Sequence, residues 1–306
     1  MSKSIKILKL ILRVLLGLFF IATAVLKLFS LDNFEIYIYS FKLFSFTFST
    51  LVARCVIMAE LLLGALLIAK IQYKPAWWAT MAMLVGFTFL LIYVAIFRHD
   101  SNCHCMGDLV KINPLWSIVK NVVTMLLMLL VRKEDDYQFR GKVAVGVTLL
   151  VAAFAVPFAC FPMDSVYNLF DKDGQPINDK LFVSFLQDST AQSLNINEGN
   201  YMLGYLASGC QYCRVSARKV NTIMDNNQLD KTKVIFFIWG SDDGIQEFKD
   251  DTEAFDYQYV KINPVEAVNL VNGSFPTYVF LKDGKVVKAM DLRGITEKDI
   301  KAFLNE

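Results

Sequence analysis

Histidine is nearly absent from this 306-residue chain, which holds two. No Met-rich or His-rich tract accompanies them, so little supports a dedicated metal store. There is no internal repeat and no low-complexity tract. The basic residues form no stripe of the kind that tracks nucleic acid, which excludes a nucleic-acid partner. No nucleotide-binding motif is present. No small-residue cleavage site follows the first apolar run, which argues against a removed signal peptide. Charge is scarce too, at 20% of residues.

What the chain has instead is apolar residues, 55% of the total, and they are unevenly spread. Residues 1–163 carry 16 Lys/Arg against 8 Asp/Glu, and residues 164–306 carry 15 against 21. A greasy, basic half therefore meets a water-soluble, acidic half near "CFPMDSVYN". The length also fits two domains, 1–163 and 164–306.

About 20 mostly apolar residues cross a bilayer. Five stretches qualify: 8–29, 51–69, 76–97, 114–131 and 143–161. Five in succession make buried core helices a poor explanation. The basic flanks set an orientation. Lys3, Lys6, Lys9 and Arg13 precede the first span. Lys70 and Lys74 lie between the second and third. Arg132, Lys133, Arg140 and Lys142 lie between the fourth and fifth. Five crossings put all these groups on one side, taken as the cytoplasm of a bacterial cell. The chain is then expected in the inner membrane with its N-terminus cytoplasmic and residues after 162 extracytoplasmic. The aromatic segment 34–50 is expected at the outer interface or re-entering the bundle.

This topology places all six cysteines on or near the outer side, where thiols pair or do redox work. The line "YMLGYLASGCQYCRVSARKVNTI" reads as a strand, Cys-x-x-Cys, then a helix. A first cysteine at a helix N-terminus is stabilised as thiolate, and the second lies one turn on. Cys210 is thus the expected attacking thiol and Cys213 the resolving one. A zinc half-site is the competing reading, but the domain has no second pair and no histidine. "NGSFPTYVFLKDGKVV" resembles the cis-proline loop and hairpin of the thioredoxin fold. On that resemblance Pro276 faces the cysteine pair. The resemblance covers residues 180–306, although Gln211-Tyr212 stands where thioredoxin has Gly-Pro.

The second thiol-bearing stretch is "SNCHCMGD", residues 101–108. Cysteines at i and i+2 reach the disulfide range only with strain, which makes the bond more oxidising. Cys103 and Cys105 could therefore exchange with Cys210 and Cys213. His104 and Met106 with the two cysteines are soft ligands that suit copper instead, with His99 as a further candidate ligand.

"RVLLGLFFIATAVLKLFSLDNFE", "ARCVIMAELLLGALLI" and "CHCMG" before "NPLWSIVKN" resemble the DoxX-like group, and most closely its methylamine-utilisation MauE branch. The match covers residues 10–131. The resemblance implies a membrane protein that makes or maintains disulfides in envelope proteins. Vitamin K epoxide reductase homologues fused to thioredoxin domains share this general layout.

The expected fold is an α-helical transmembrane bundle of about five spans plus an α/β thioredoxin-like domain. The expected function is thiol–disulfide oxidoreductase, with oxidation favoured and envelope-protein thiols or disulfides as partners. Electrons would pass from Cys210/Cys213 to Cys103/Cys105, and then to an acceptor in the lipid bilayer. No cofactor motif is present, and a lipid quinone is the natural candidate. Lys27, Arg54 and Glu60 are candidate quinone-site or proton-relay groups, with a structural ion pair or a snorkelling lysine as the plainer readings. Copper handling and a non-catalytic maturation partner remain the alternatives.

Overall fold

The structure is a computed structural model. It describes residues 3–98, 100, 102–103, 106–107, 110, 112–133, 136–138, 140–170, 174–187 and 192–305. His99, His104 and Cys105 lie outside the described residues. Two compact units form, one from Met1–Ile38 with Ser49–Pro162, the other from Tyr39–Phe48 with Met163–Glu306.

The first unit is helical. Its helices are α1 (Lys3–Phe29), α2 (Leu31–Tyr39), α3 (Phe46–Ala69), α4 (Tyr73–Tyr93), α5 (Pro114–Leu130) and α6 (Lys142–Ala155), except that the last residue of α2 and the first three of α3 count with the other unit. π-helical turns at Val94–Arg98 and Val156–Cys160 extend α4 and α6. Four helical segments among the described residues are long and apolar enough to cross a membrane: Ser4–Phe29, Phe46–Ala69, Tyr73–Arg98 and Lys142–Cys160. The remaining expected span is α5, of 17 residues. At 1.5 Å per residue it reaches about 26 Å, the short end of the spanning range. Asn113 sets its start, since its side chain accepts from Leu115 N with Pro114 at the first helical position.

Small residues hold α1 against α3. A Cβ on Gly17 would lie 2.7 Å from the Gly64 carbonyl oxygen, and one on Gly64 would lie 2.7 Å from that of Gly17. This is the close backbone approach that apolar helices use where lipid gives no hydrophobic drive. Asn121 on α5 donates to Thr88 on α4 at 3.3 Å.

The second unit is α/β. A five-stranded sheet runs β3-β2-β1-β4-β5. The strands are β1 (Asn200–Ala207), β2 (Val234–Trp239), β3 (Gln258–Lys261), β4 (Thr277–Lys282) and β5 (Lys285–Met290). β1 pairs parallel with β2 and antiparallel with β4. The helices α7 (Asp164–Phe170), α8 (Asp179–Gln187), α9 (Gln211–Asn227), α10 (Asp242–Thr252), α11 (Pro264–Leu270) and α12 (Glu297–Leu304) complete it. Central strands buried on both faces read as near-continuous apolar runs. "VIFFIW" and "TYVFLK" do so here. Phe182, Phe185, Tyr205 and Phe237 pack in one core on one face of the sheet. Burial of each such ring contributes about 1.5–3 kcal/mol.

Part of the aromatic segment expected at the outer interface, Tyr39–Phe48, groups with the α/β unit. Asn226 donates to the Tyr39 carbonyl at 2.8 Å and Asn227 to the Tyr39 hydroxyl at 3.0 Å. The Phe46 N–H donates to Glu297 at 2.9 Å, and Lys219 lies 4.7 Å from the Phe46 ring centroid. Polar groups of α9 and the start of α12 thus anchor this aromatic segment.

Candidate functional site

The site grows from the end of the central strand. β1 stops at Ala207, and the Cys210 N–H donates back to the Ala207 carbonyl at 3.0 Å. Gly240 lets β2 approach this turn, because a Cβ there would sit 2.1 Å from Ser208 Oγ. Cys210 is the N-cap of α9. Its backbone is extended, and its Sγ accepts from the Cys213 N–H at 3.3 Å. A sulfur in this place satisfies one of the free N–H groups of the first turn.

Cys213 sits one turn on and is fully buried. Its Sγ accepts from the Ala207 N–H at 3.4 Å. Behind it, Ser216 donates to the Cys213 carbonyl at 2.9 Å, and the buried Tyr278 hydroxyl donates to Ser216 at 3.0 Å. Gly204 in β1 makes room for that ring, since a Cβ there would lie 2.9 Å from it.

The two thiols are driven apart in acidity. The Cys213 thiol donates to the Cys210 sulfur, and this bond, with backbone N–H groups of Cys213 and Tyr212, outweighs burial and pulls Cys210 down to about 6. The same bond pushes Cys213 well above the ordinary thiol range, and burial adds to it. Cys210 is half-buried, whereas Tyr212 beside it is 65% exposed.

Pro276 follows a cis peptide bond from Phe275 and is buried. Thr277 pairs with Tyr205 in the β1–β4 ladder. Continuing that antiparallel register sets Pro276 beside Leu206, at the end of the sheet from which the Cys210 turn emerges. Phe275 meets Trp239, at the end of β2, with ring centroids 6.4 Å apart. The fold thus brings Pro276 to the same sheet end as Cys210 and Cys213.

The helical unit holds the other expected residues. Lys27 Nζ lies 2.5 and 2.7 Å from the two Glu60 carboxylate oxygens, and the residues are 3% and 4% exposed. Phe34 and Phe87 flank the ammonium at 5.7 and 5.8 Å. Lys27 is therefore paired inside the bundle instead of snorkelling. Arg54 does not join this pair. It binds Glu35 and donates to the carbonyls of Phe161 at 3.1 Å and Pro162 at 3.2 Å. Glu35 escaped the sequence reading. Its one signal is a lone carboxylate inside "NFEIYIY", within reach of an intramembrane arginine.

Cys103 is buried, and its sulfur lies 3.0 Å from the Ser117 hydroxyl in α5. Its expected partner Cys105 lies outside the described residues, so the structure does not show that pair. The copper reading shares the difficulty, because His104, Cys105 and His99 fall there too. Among the described residues no three His, Cys, Asp or Glu side chains gather as a metal site. Cys55 and Cys160 are both exposed on the helical unit.

Residues 5–132 match the family model described as methylamine utilisation protein MauE. This stretch is a MauE-family domain. The chain is a membrane protein, on its long apolar helices and this domain together. The helix contacts give physical sense to the residues that carried the resemblance. Gly17 and Gly64 are the close approach, and Lys27 and Glu60 are the buried ion pair, all between α1 and α3. Protein TlpB of Flavobacterium psychrophilum is similar along the whole chain. It is 23% identical over 351 aligned positions, covering 96% of this chain and 95% of that protein. No solved structure matches the chain.

Proposed function

We propose that the protein is a membrane-bound thiol–disulfide oxidoreductase whose α/β unit is a thioredoxin-like redox domain. The observation that carries this reading is the Cys210–Cys213 arrangement. One thiol caps a helix, is held largely as thiolate near neutral pH and is partly exposed. The other is buried beneath it and stays protonated until the first has reacted. In exchange, a substrate thiolate attacks Cys210 of the disulfide and Cys213 leaves. A second substrate thiolate then displaces Cys210. The substrate gains one disulfide, and the domain takes up two electrons and, near neutral pH, one proton, which goes to Cys213 while Cys210 stays thiolate.

A depressed Cys210 stabilises the reduced domain, which raises its reduction potential and favours oxidation of substrates. The substrates are envelope proteins. The Cys103–Cys105 pair is their next holder; a lipid quinone, when bound, would supply the final acceptor, and the buried Lys27–Glu60 pair would exchange protons with it. Tethering raises the effective concentration of the domain to about millimolar.

The protein sits in the bacterial inner membrane with its N-terminus cytoplasmic and the redox domain extracytoplasmic. The basic clusters support this. Lys70/Lys74 and Arg132–Lys142 share a side with the N-terminus only if α5 crosses. A periplasm-dependent reporter fused after residue 306 is expected to be active, and a cytoplasm-only signal would overturn the orientation.

The test of the activity is a Cys213→Ser variant of the full-length protein in cells. It accumulates mixed disulfides between Cys210 and envelope proteins, and these vanish in Cys210→Ser/Cys213→Ser. Absence of adducts in the single variant would count against exchange.

A further inference from the structure

The turn that presents Cys210 is tied down from several directions. Cys210 N–H donates to the Ala207 carbonyl at 3.0 Å, and Ser208 N–H donates to the Trp239 carbonyl at 2.9 Å. A further hold comes from a side chain. Arg214 Nε donates to the Ser208 carbonyl at 3.1 Å. Arg214 stands on α9 one turn past Cys210, so its side chain folds back along the start of the helix. That is an unfavourable place for a cation, because the helix dipole favours negative charge there. The first turn of α9 holds no acidic residue to offset it. The offset comes from α10. Arg214 Nη1 donates to Glu247 Oε1 at 3.1 Å and lies 3.7 Å from Asp251 Oδ2, which Arg218 also meets at 3.2 Å. The Arg214 side chain is 19% exposed and that of Glu247 is 71% exposed. An ion pair this open adds little to stability, so its effect is on where the guanidinium points.

We propose that Arg214 is the positioning residue of Cys210. Its fork ties the Ser208 carbonyl to α10 and so fixes the Ser208–Cys210 turn, which keeps the Cys210 sulfur at the Cys213 N–H. This rests on the reading of Cys210 as the exchanging sulfur. In that step an incoming thiolate forms an S–S bond to Cys210. The Cys210–Cys213 bond breaks, and its electron pair goes to Cys213, which takes up a proton. A planar guanidinium can serve acceptors in two directions at once, whereas an ammonium is a point charge. Around Cys210 stand the Cys213 thiol and the Tyr212 hydroxyl on α9, the Tyr278 hydroxyl on β4, and Arg214 with its two carboxylates. Burial pushes the Tyr278 hydroxyl well up, so it stays neutral. Glu247 and Asp251 offset the Arg214 charge, so Arg214 acts through the turn and not through its field.

The test is the alkylation of Cys210 by iodoacetamide in the reduced full-length protein in lipid nanodiscs, from pH 4 to 10, read by peptide mass spectrometry. Arg214→Met keeps the stem and removes the fork. Its alkylation midpoint is expected about one unit above the parent, a tenfold loss of thiolate at low pH and the scale of one hydrogen bond. The reduction potential of the pair is expected to fall with it, since the reduced form loses support. At 1 M KCl the screening length shrinks to about 3 Å, which removes a charge effect and spares a positioning one. The rise is therefore expected to persist in high salt. Arg214→Lys, with the charge but no fork, is expected to recover only part of it. An unchanged midpoint in Arg214→Met, a rise that vanishes in high salt, or full recovery in Arg214→Lys overturns the assignment. If Arg214→Met fails to fold, Glu247→Ala decides, because an exposed carboxylate can go without harm to the fold. In high salt it is expected to raise the midpoint by about half a unit over the parent, and no rise overturns the assignment. None of these readouts needs a substrate, so mixed-disulfide capture in Cys213→Ser decides the proposed activity separately.

Discussion

Both units of this chain bury a cysteine at the beginning of a helix, yet they do so in opposite senses. In the α/β unit the exposed member, Cys210, is itself the cap of α9, and its buried neighbour Cys213 lies inside the helix. In the helical unit Cys103 lies outside α5 and reaches in to touch Ser117. The first arrangement leaves a sulfur at a helix N-terminus partly open to a partner, whereas the second encloses one against a hydroxyl. What differs is access, and access decides which thiol can attack.

The largest effect that sharpens this contrast is loss of the capping sulfur. Cys210→Ser is expected to lower disulfide exchange with a model dithiol by about a thousandfold or more, since it removes the nucleophile. Cys103→Ser should leave exchange at Cys210 with that soluble dithiol near the parent rate. Equal losses in both variants would erase the division of labour.

Next in size are the buried charges of the helical unit. Breaking the Lys27–Glu60 pair with Lys27→Ala strands a carboxylate and is expected to cost about 3–5 kcal/mol, read as a drop in thermal midpoint in detergent. The double change Lys27→Met/Glu60→Leu should recover most of that stability. Its effect on electron transfer then separates the two roles. Recovery of stability without activity marks proton exchange, and recovery of both marks a structural pair.

Smaller again is Gly64→Ala. The new methyl meets the Gly17 carbonyl at 2.7 Å and Ile21 Cγ1 at 2.9 Å. A loss of about 1–3 kcal/mol is expected from overpacking, also as a lower thermal midpoint. The smallest is Asn227→Ala, which removes the bond to the Tyr39 hydroxyl at about 1 kcal/mol. It should raise proteolytic cutting within 39–48 while sparing the helical unit. Unchanged cutting would show that the segment owes nothing to this anchor.

The sequence was most readable where one local pattern carries both chemistry and geometry. Strand, Cys-x-x-Cys and helix follow one another directly, so the cysteine positions followed from spacing, while Pro276 before its strand followed from the resemblance to the thioredoxin loop. Lys27 and Glu60 were visible as charges in apolar runs, but their pairing depends on which helix faces meet. The Glu35–Arg54 and Ser117–Cys103 contacts were hidden because the partners lie 19 and 14 residues apart in sequence. Nothing in either local stretch encodes such a contact. The contacts of 39–48 were hidden for a different reason. Tyr and Phe suit a headgroup layer and a protein surface equally well, and its partners Asn226, Asn227 and Glu297 lie far along the chain. α5 showed its apolar character plainly, but its capped start at Asn113 and its end at Leu130 leave it short of the other spans.

pH bears on the central claim with a definite sign. A thiol depressed in the folded state stabilises the reduced protein as pH rises from about 6 toward the ordinary thiol range, and that gain is lost as pH falls through about 6. The raised Cys213 acts oppositely, but only above the ordinary thiol range, where an unfolded chain would release its proton and the folded one would not. The decisive measurement is the rate of iodoacetamide alkylation of Cys210 in the reduced full-length protein, followed by mass spectrometry from pH 4 to 10. The account predicts a midpoint near 6, with Cys213 unmodified across the range. A midpoint between 8 and 9, with both thiols reacting alike, would contradict it.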